Sequence, residues 1–204
     1  MVDALFVGPA GLQADGTFGL YHSDKTGPLA NRFKWVVQTA RSQNPEIKII
    51  VSQWWGSGDT IWGYNLSNLH DSKATQKYAD SVQAFLKTWL LVSGDVDGYD
   101  IDYETGNVVE NALDILAQIR SNLDALSKDS GGRPFYVTVS PATVTYLAKA
   151  VPSLSYVNIQ TYDGGWDLSP RYRSASGAAP LWNLSRKDRC VPERRGGGKE
   201  VQKS

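Results

Sequence analysis

Cysteine is nearly absent from this chain: Cys190 is the only one in 204 residues, so no disulfide can form within it. That absence does not fix the compartment, because a domain of this size folds outside the cell without disulfides. A charge surplus is also missing. The 21 basic and 21 acidic residues cancel, which argues against a nucleic-acid binder and the basic footprint it needs. No run of about 18 apolar residues occurs, so no membrane span is expected. The opening stretch from Met1 to Val7 lacks the basic flank and cleavage site of a signal peptide. The chain is therefore expected either to stay inside the cell or to have a leader outside this sequence. His22 and His70 stand alone without ligand spacing, so neither a metal nor another cofactor is expected. No internal repeat is evident.

What is present has the composition of an ordinary globular protein, long enough for one domain or at most two. Short apolar runs alternate with amphipathic stretches, the pattern of βα units around a parallel sheet. Strands are predicted at Ala4–Val7, Lys48–Ser52, Tyr99–Tyr103, Phe135–Ser140 and Val157–Thr161. Helices are predicted at about Pro28–Ser42, Ala74–Leu91 and Val109–Ser127, each with an apolar stripe at helical spacing. Trp35 and Trp89 are read as core residues on those stripes. The segment Ser130-Gly131-Gly132-Arg133-Pro134 is a helix stop. From Ser185 onward hydrophobicity and periodicity both vanish. That tail carries a net charge of +4, which leaves −4 for the rest, and it is expected to be disordered.

The segment Asp97-Gly98-Tyr99-Asp100-Ile101-Asp102-Tyr103-Glu104 carries the chemistry. Alternation along a strand puts Asp100, Asp102 and Glu104 on one face and Tyr99, Ile101 and Tyr103 on the other. Successive carboxylates are then about 7 Å apart. Crowding like charges in a partly buried place predicts a shared proton and at least one raised pKa. A carboxylic acid kept protonated beside an ionised neighbour is what glycoside hydrolysis requires. A calcium loop starting at Asp95 fails, since Tyr99 would fill the fifth ligand position and Asp100 the glycine position. A solvated turn fits poorly with the interleaved Tyr, Ile and Tyr.

Those eight residues resemble the D-G-x-D-x-D-x-E signature of glycoside hydrolase family 18, the chitinases and endo-β-N-acetylglucosaminidases. Other segments are similar in the right order: Phe135 to Ala142 resembles the family's fifth strand, and Val157 to Asp163 its sixth. Ala179-Pro180-Leu181-Trp182 resembles the segment after the sixth strand's loop. The resemblance implies an α/β fold of (β/α)8 TIM-barrel type, here incomplete. About five βα units would correspond to strands 2–6 of the family barrel. Residues 1–184 would form a partial catalytic domain and 185–204 the basic tail.

The resemblance also implies hydrolysis of β-1,4-linked N-acetylglucosamine polymers, chitin first, by a substrate-assisted retaining route. Glu104 would protonate the leaving oxygen and then activate water. Asp102 would orient the substrate's acetamido group, and Asp100 would share a proton with Asp102. Tyr162 would donate to the acetamido oxygen, and Asp163 would contact the sugar at the cleavage point. Gln160 stands where the family more often has Met, and is read with Asp163 as substrate-binding. Trp54 and Trp55, near Trp62 and Tyr64, and Trp166 suit the stacking of sugar faces, with plain packing as the other reading. No nucleic acid, membrane or cofactor is implied, and the family resemblance implies a secreted, extracellular protein.

Two departures shape the expectations. Ser52-Gln53-Trp54-Trp55-Gly56 replaces the family's Ser-x-Gly-Gly and puts bulk near the site. A full barrel takes about 250 residues, so the chain reads as a fragment, a trimmed pseudo-enzyme, or a chain that self-associates to complete or cover its barrel. The alternatives to hydrolysis of chitin are a non-catalytic, lectin-like chitin binder and an endoglycosidase acting on N-glycans.

Overall fold

The structure, a computed structural model, describes residues 2–20, 28–54, 69, 71–93, 96–103, 112–141 and 147–158. Strand β1 (Ala4–Leu12) turns into the short β2 (Phe18–Leu20), and helix α1 (Pro28–Gln43) leads to β3 (Lys48–Trp54). Helix α2 (Ser72–Ser93) precedes β4 (Gly98–Tyr103), and α3 (Ala112–Asp129) precedes β5 (Tyr136–Pro141). The one-turn α4 (Leu147–Ala150) runs through a 3-10 turn into β6 (Tyr156–Val157).

The sheet order is β2-β1-β3-β4-β5-β6. Among the described strands only the β1–β2 pair is antiparallel. Each parallel strand lies beside its predecessor, so every crossover advances the same way and the helices gather on one face. That face is apolar: Val51, Tyr99, Ile101 and Val137 pack against Val37, Tyr78, Val82, Leu86, Ile115 and Ile119.

The opposite face is concave. Phe6 on β1 and Tyr156 on β6 would be about 19 Å apart across four strand spacings of a flat sheet. Their ring centroids lie 6.5 Å apart, edge to face. The sheet therefore curls until its first and last parallel strands meet across its inner side. This is an incomplete, barrel-like α/β fold.

Local chemistry explains the element ends. Asp71 caps α2 by accepting the Ala74 amide at 2.7 Å. Helix α3 stops where Gly132, at φ +85°, donates its amide to the Ser127 carbonyl. At the amino end of the sheet Asp97 is clamped. Its carboxylate accepts Arg41 from α1 at 2.5 Å, Arg133 at 2.7 Å and the Ile49 amide at 2.7 Å. Beside it Gly98 is obligatory, because a Cβ there would meet the Tyr136 carbonyl oxygen at 2.5 Å.

Three expectations need correction. The predicted first strand ends at Val7, whereas β1 continues to Leu12 through a one-residue register shift between Val7 and Ala10. Pro9, which has no amide hydrogen, falls in that bulge, where the loss costs no ladder bond. Second, five strands were expected and the described sheet has six, because three residues of β2 form a hairpin too short to leave a periodic signal. Its Phe18 ring packs on Tyr78, Phe85 and Tyr99, and its amide binds the Ser81 hydroxyl. Third, Trp35 is 66% exposed. It falls opposite Phe33 and Val37 on α1, and Trp89 alone joins the core, against Phe33 and Phe85.

Candidate functional site

The sequence motif lies on β4, at the centre of the parallel strands. Register pairs Ser52, Asp100, Thr138 and Tyr156 across β3 to β6. The next row toward the carboxyl end pairs Trp54, Asp102 and Ser140. The inner face thus changes from the aromatic Phe6, Tyr136 and Tyr156 to polar residues as the strands run toward their carboxyl ends. Active sites of barrel-like α/β proteins gather at that end.

Asp100 is 1% exposed. Thr138 donates its hydroxyl to Oδ1 at 2.6 Å, and Ser52 donates to Oδ2 at 2.9 Å. The Ser140 hydroxyl lies 3.2 and 3.1 Å from the two oxygens. The Asn158 amide reaches Oδ1 at 3.4 Å and Ser140 at 3.1 Å. Burial raises the Asp100 pKa, and these four donors act in the opposite direction. The sequence suggested crowding of like charges as the source of a raised pKa; burial is the leading cause. Asp102, one row nearer the rim, is half-buried. A buried, hydrogen-bonded carboxyl behind a more exposed one can hold a proton or a charge for its neighbour.

Of the residues singled out from sequence, the structure places Asp100, Asp102 and the backbone of Trp54 together at this end. Glu104, Trp55, Gln160, Tyr162, Asp163 and Trp166 lie outside the described residues, as do the Trp54 side chain and the tail from 185 to 204. Sequence reasoning missed Ser52, Thr138, Ser140 and Asn158, which surround Asp100. The signal was there: small hydroxyl residues recur at alternate positions of strands that are otherwise apolar. Among the described residues no cluster of His, Cys, Asp and Glu could hold a metal ion. None of the described helices is long and apolar enough to cross a membrane.

Comparison with known proteins agrees with this geometry. Chitinase A1 of Niallia circulans is 30% identical over 146 residues, 62% of this chain and 20% of that protein. A double mutant of a Cycas revoluta GH18 chitinase, solved in complex with (GlcNAc)4, superposes with a TM-score of 0.61 at 20% identity, covering 79% of this chain and 48% of that one. Human YKL-39, described as a pseudo-chitinase with retained chitooligosaccharide binding, gives 0.61 at 14% identity, covering 79% and 43%. The chain thus spans less than half the length of each of these relatives. Residues 1–191 match the description "Glycosyl hydrolases family 18", and the chain belongs to that family.

Proposed function

We propose that this chain binds N-acetylglucosamine oligosaccharides, of the kind found in chitin, at the carboxyl end of its curved sheet. The observation that carries the reading is the Asp100–Asp102 pair on the inner face, one carboxyl caged and the next half-buried toward the rim. Such a pair can receive the acetamido N–H of a sugar, and membership of family 18 supplies the substrate class. Trp54, Trp55 and Trp166 would stack on sugar rings, with Gln160, Tyr162 and Asp163 contacting the acetamido group and neighbouring hydroxyls. The related proteins include both a chitinase and a pseudo-chitinase that keeps its ligand. Binding is the property those two share.

Hydrolysis is the second reading, and one observation favours it: the sequence keeps Glu104 at the end of a complete D-G-x-D-x-D-x-E motif. In that reading Glu104 is the general acid and base, and the acetamido oxygen is the nucleophile. A (β/α)8 barrel would hold these groups, with β1 and β3 to β6 as its second to sixth strands. Association with a second chain would cover the remaining inner face, and a secreted protein would meet chitin outside the cell.

The test is a binding isotherm for tetra-N-acetylchitotetraose beside a reducing-end assay on the same sugar. Saturable binding without reducing ends supports the first reading. Reducing ends that disappear in Glu104→Gln, with binding retained, support the second. No binding to chito-oligosaccharides, but binding to a high-mannose N-glycan, would replace chitin with the endoglycosidase substrate.

A further inference from the structure

Gln53 is an anomaly on its strand. It follows Ser52 and precedes Trp54, so alternation turns it toward the helices, where the sheet is otherwise apolar. It is 1% exposed there. Its Oε1 accepts the Tyr99 hydroxyl at 2.8 Å, and the Tyr99 oxygen lies 3.0 Å from that of Tyr78 on α2. A chain of buried hydrogen bonds thus runs from a helix through β4 to the last turn-out of β3. Burying this much polarity in a sheet–helix interface is costly unless every link is made.

Its position gives it a consequence. The two chain neighbours of Gln53 lie beside the carboxyl pair: Ser52 donates to Asp100 at 2.9 Å, and the Trp54 backbone is in register with Asp102. A side chain fixed on the helix side pins the backbone between them. We propose that Gln53, held by Tyr99, is a positioning residue that sets the carboxyl-end rim of β3 against β4 and thereby fixes Ser52 and Trp54 at the sugar site. This rests on the oligosaccharide-binding reading above. Gln53 does not touch the sugar; it acts through its neighbours.

The experiment compares Tyr99→Phe, Gln53→Leu, the double variant and Tyr78→Phe. Tyr78→Phe removes a hydroxyl from the same buried chain but leaves the Tyr99–Gln53 link intact, which controls for a merely structural loss. With tetra-N-acetylchitotetraose as probe, Tyr99→Phe and Gln53→Leu should each weaken binding about tenfold. The double variant should be no weaker than either single one, as expected of two ends of one link. Tyr78→Phe should lower Tm comparably while leaving Kd within about twofold. Unchanged affinity in Tyr99→Phe, or single effects that multiply in the double variant, would overturn the proposal. Should the native chain bind no chito-oligosaccharide, the functional reading fails, and amide hydrogen exchange of the free protein still decides this one. Faster exchange at Gln53, Trp54 and Asp102 in Tyr99→Phe, and not in Tyr78→Phe, supports it; equal exchange in both contradicts it.

Discussion

Asp97 and Asp100 are buried carboxylates three residues apart at the start and middle of the same segment, yet their surroundings differ in kind. Asp97 faces two guanidinium groups and a backbone amide, so its charge is matched by full opposite charges. Asp100 faces three hydroxyls and one amide, and no ion pair to it occurs among the described residues. The first arrangement ties α1, β3, β4 and the approach to β5 together. The second leaves a buried carboxyl whose proton is still negotiable. In a barrel-like fold that division runs along the strand: the amino end holds the sheet together and the carboxyl end is left free for chemistry.

Substitutions at the two ends should therefore separate stability from function. The largest loss is expected for Asp97→Asn, which removes the buried carboxylate charge that both Arg41 and Arg133 contact. Urea unfolding should show a loss of about 3 kcal/mol. A loss below about 1 kcal/mol would remove the case for an amino-end clamp. Next comes Gly98→Ala, where the added methyl must push β4 from β5 at the Tyr136 carbonyl. The expected cost is about 2 kcal/mol.

Asp100→Asn should change stability by only about 1 kcal/mol at neutral pH, with the informative part in its pH dependence. Burial raises the folded-state pKa of Asp100 above its ordinary value of 3.8, so the folded protein binds that proton more tightly than the unfolded chain. The stabilising contribution is full below the unfolded value and is lost as pH rises through the folded one. The native protein should accordingly lose stability relative to Asp100→Asn as pH is raised from about 3 to about 7. A difference running the other way would mean that the hydroxyl cage outweighs burial. The smallest effect belongs to Trp35→Gln, within about 0.5 kcal/mol, because that residue is 66% exposed.

How much of this was legible in the sequence follows the same division. The parallel strands and three long helices were readable because their apolar residues keep period two or period 3.6 over many residues. The inward placement of Asp100 and Asp102 followed from alternation alone. The clamp on Asp97 was not readable, because Arg41, Arg133 and Asp97 come from separate segments and nothing local marks them as partners. The cage around Asp100 was half visible in the alternating Thr138 and Ser140, while Asn158 needed the β5–β6 register. Hairpin β2 carries no period in its three residues, and Trp35 is bulky and apolar but sits two residues from both Phe33 and Val37, on the opposite side of α1. Gln53 stood out only as part of the Ser52–Gly56 segment, and Tyr99 only as a ring on the face opposite the carboxylates. Their hydrogen bond exists only once β3 and β4 are aligned.

The proposed N-acetylglucosamine oligosaccharide site is the carboxyl end of the sheet and not the amino end. Calorimetric titration of tetra-N-acetylchitotetraose into the native chain, Asp102→Asn and Arg133→Gln tests it directly. The prediction is saturable binding to the native chain, the same Kd within about twofold for Arg133→Gln, and binding at least about tenfold weaker for Asp102→Asn. No saturable heat with the native chain, or equal weakening in both variants, would contradict it.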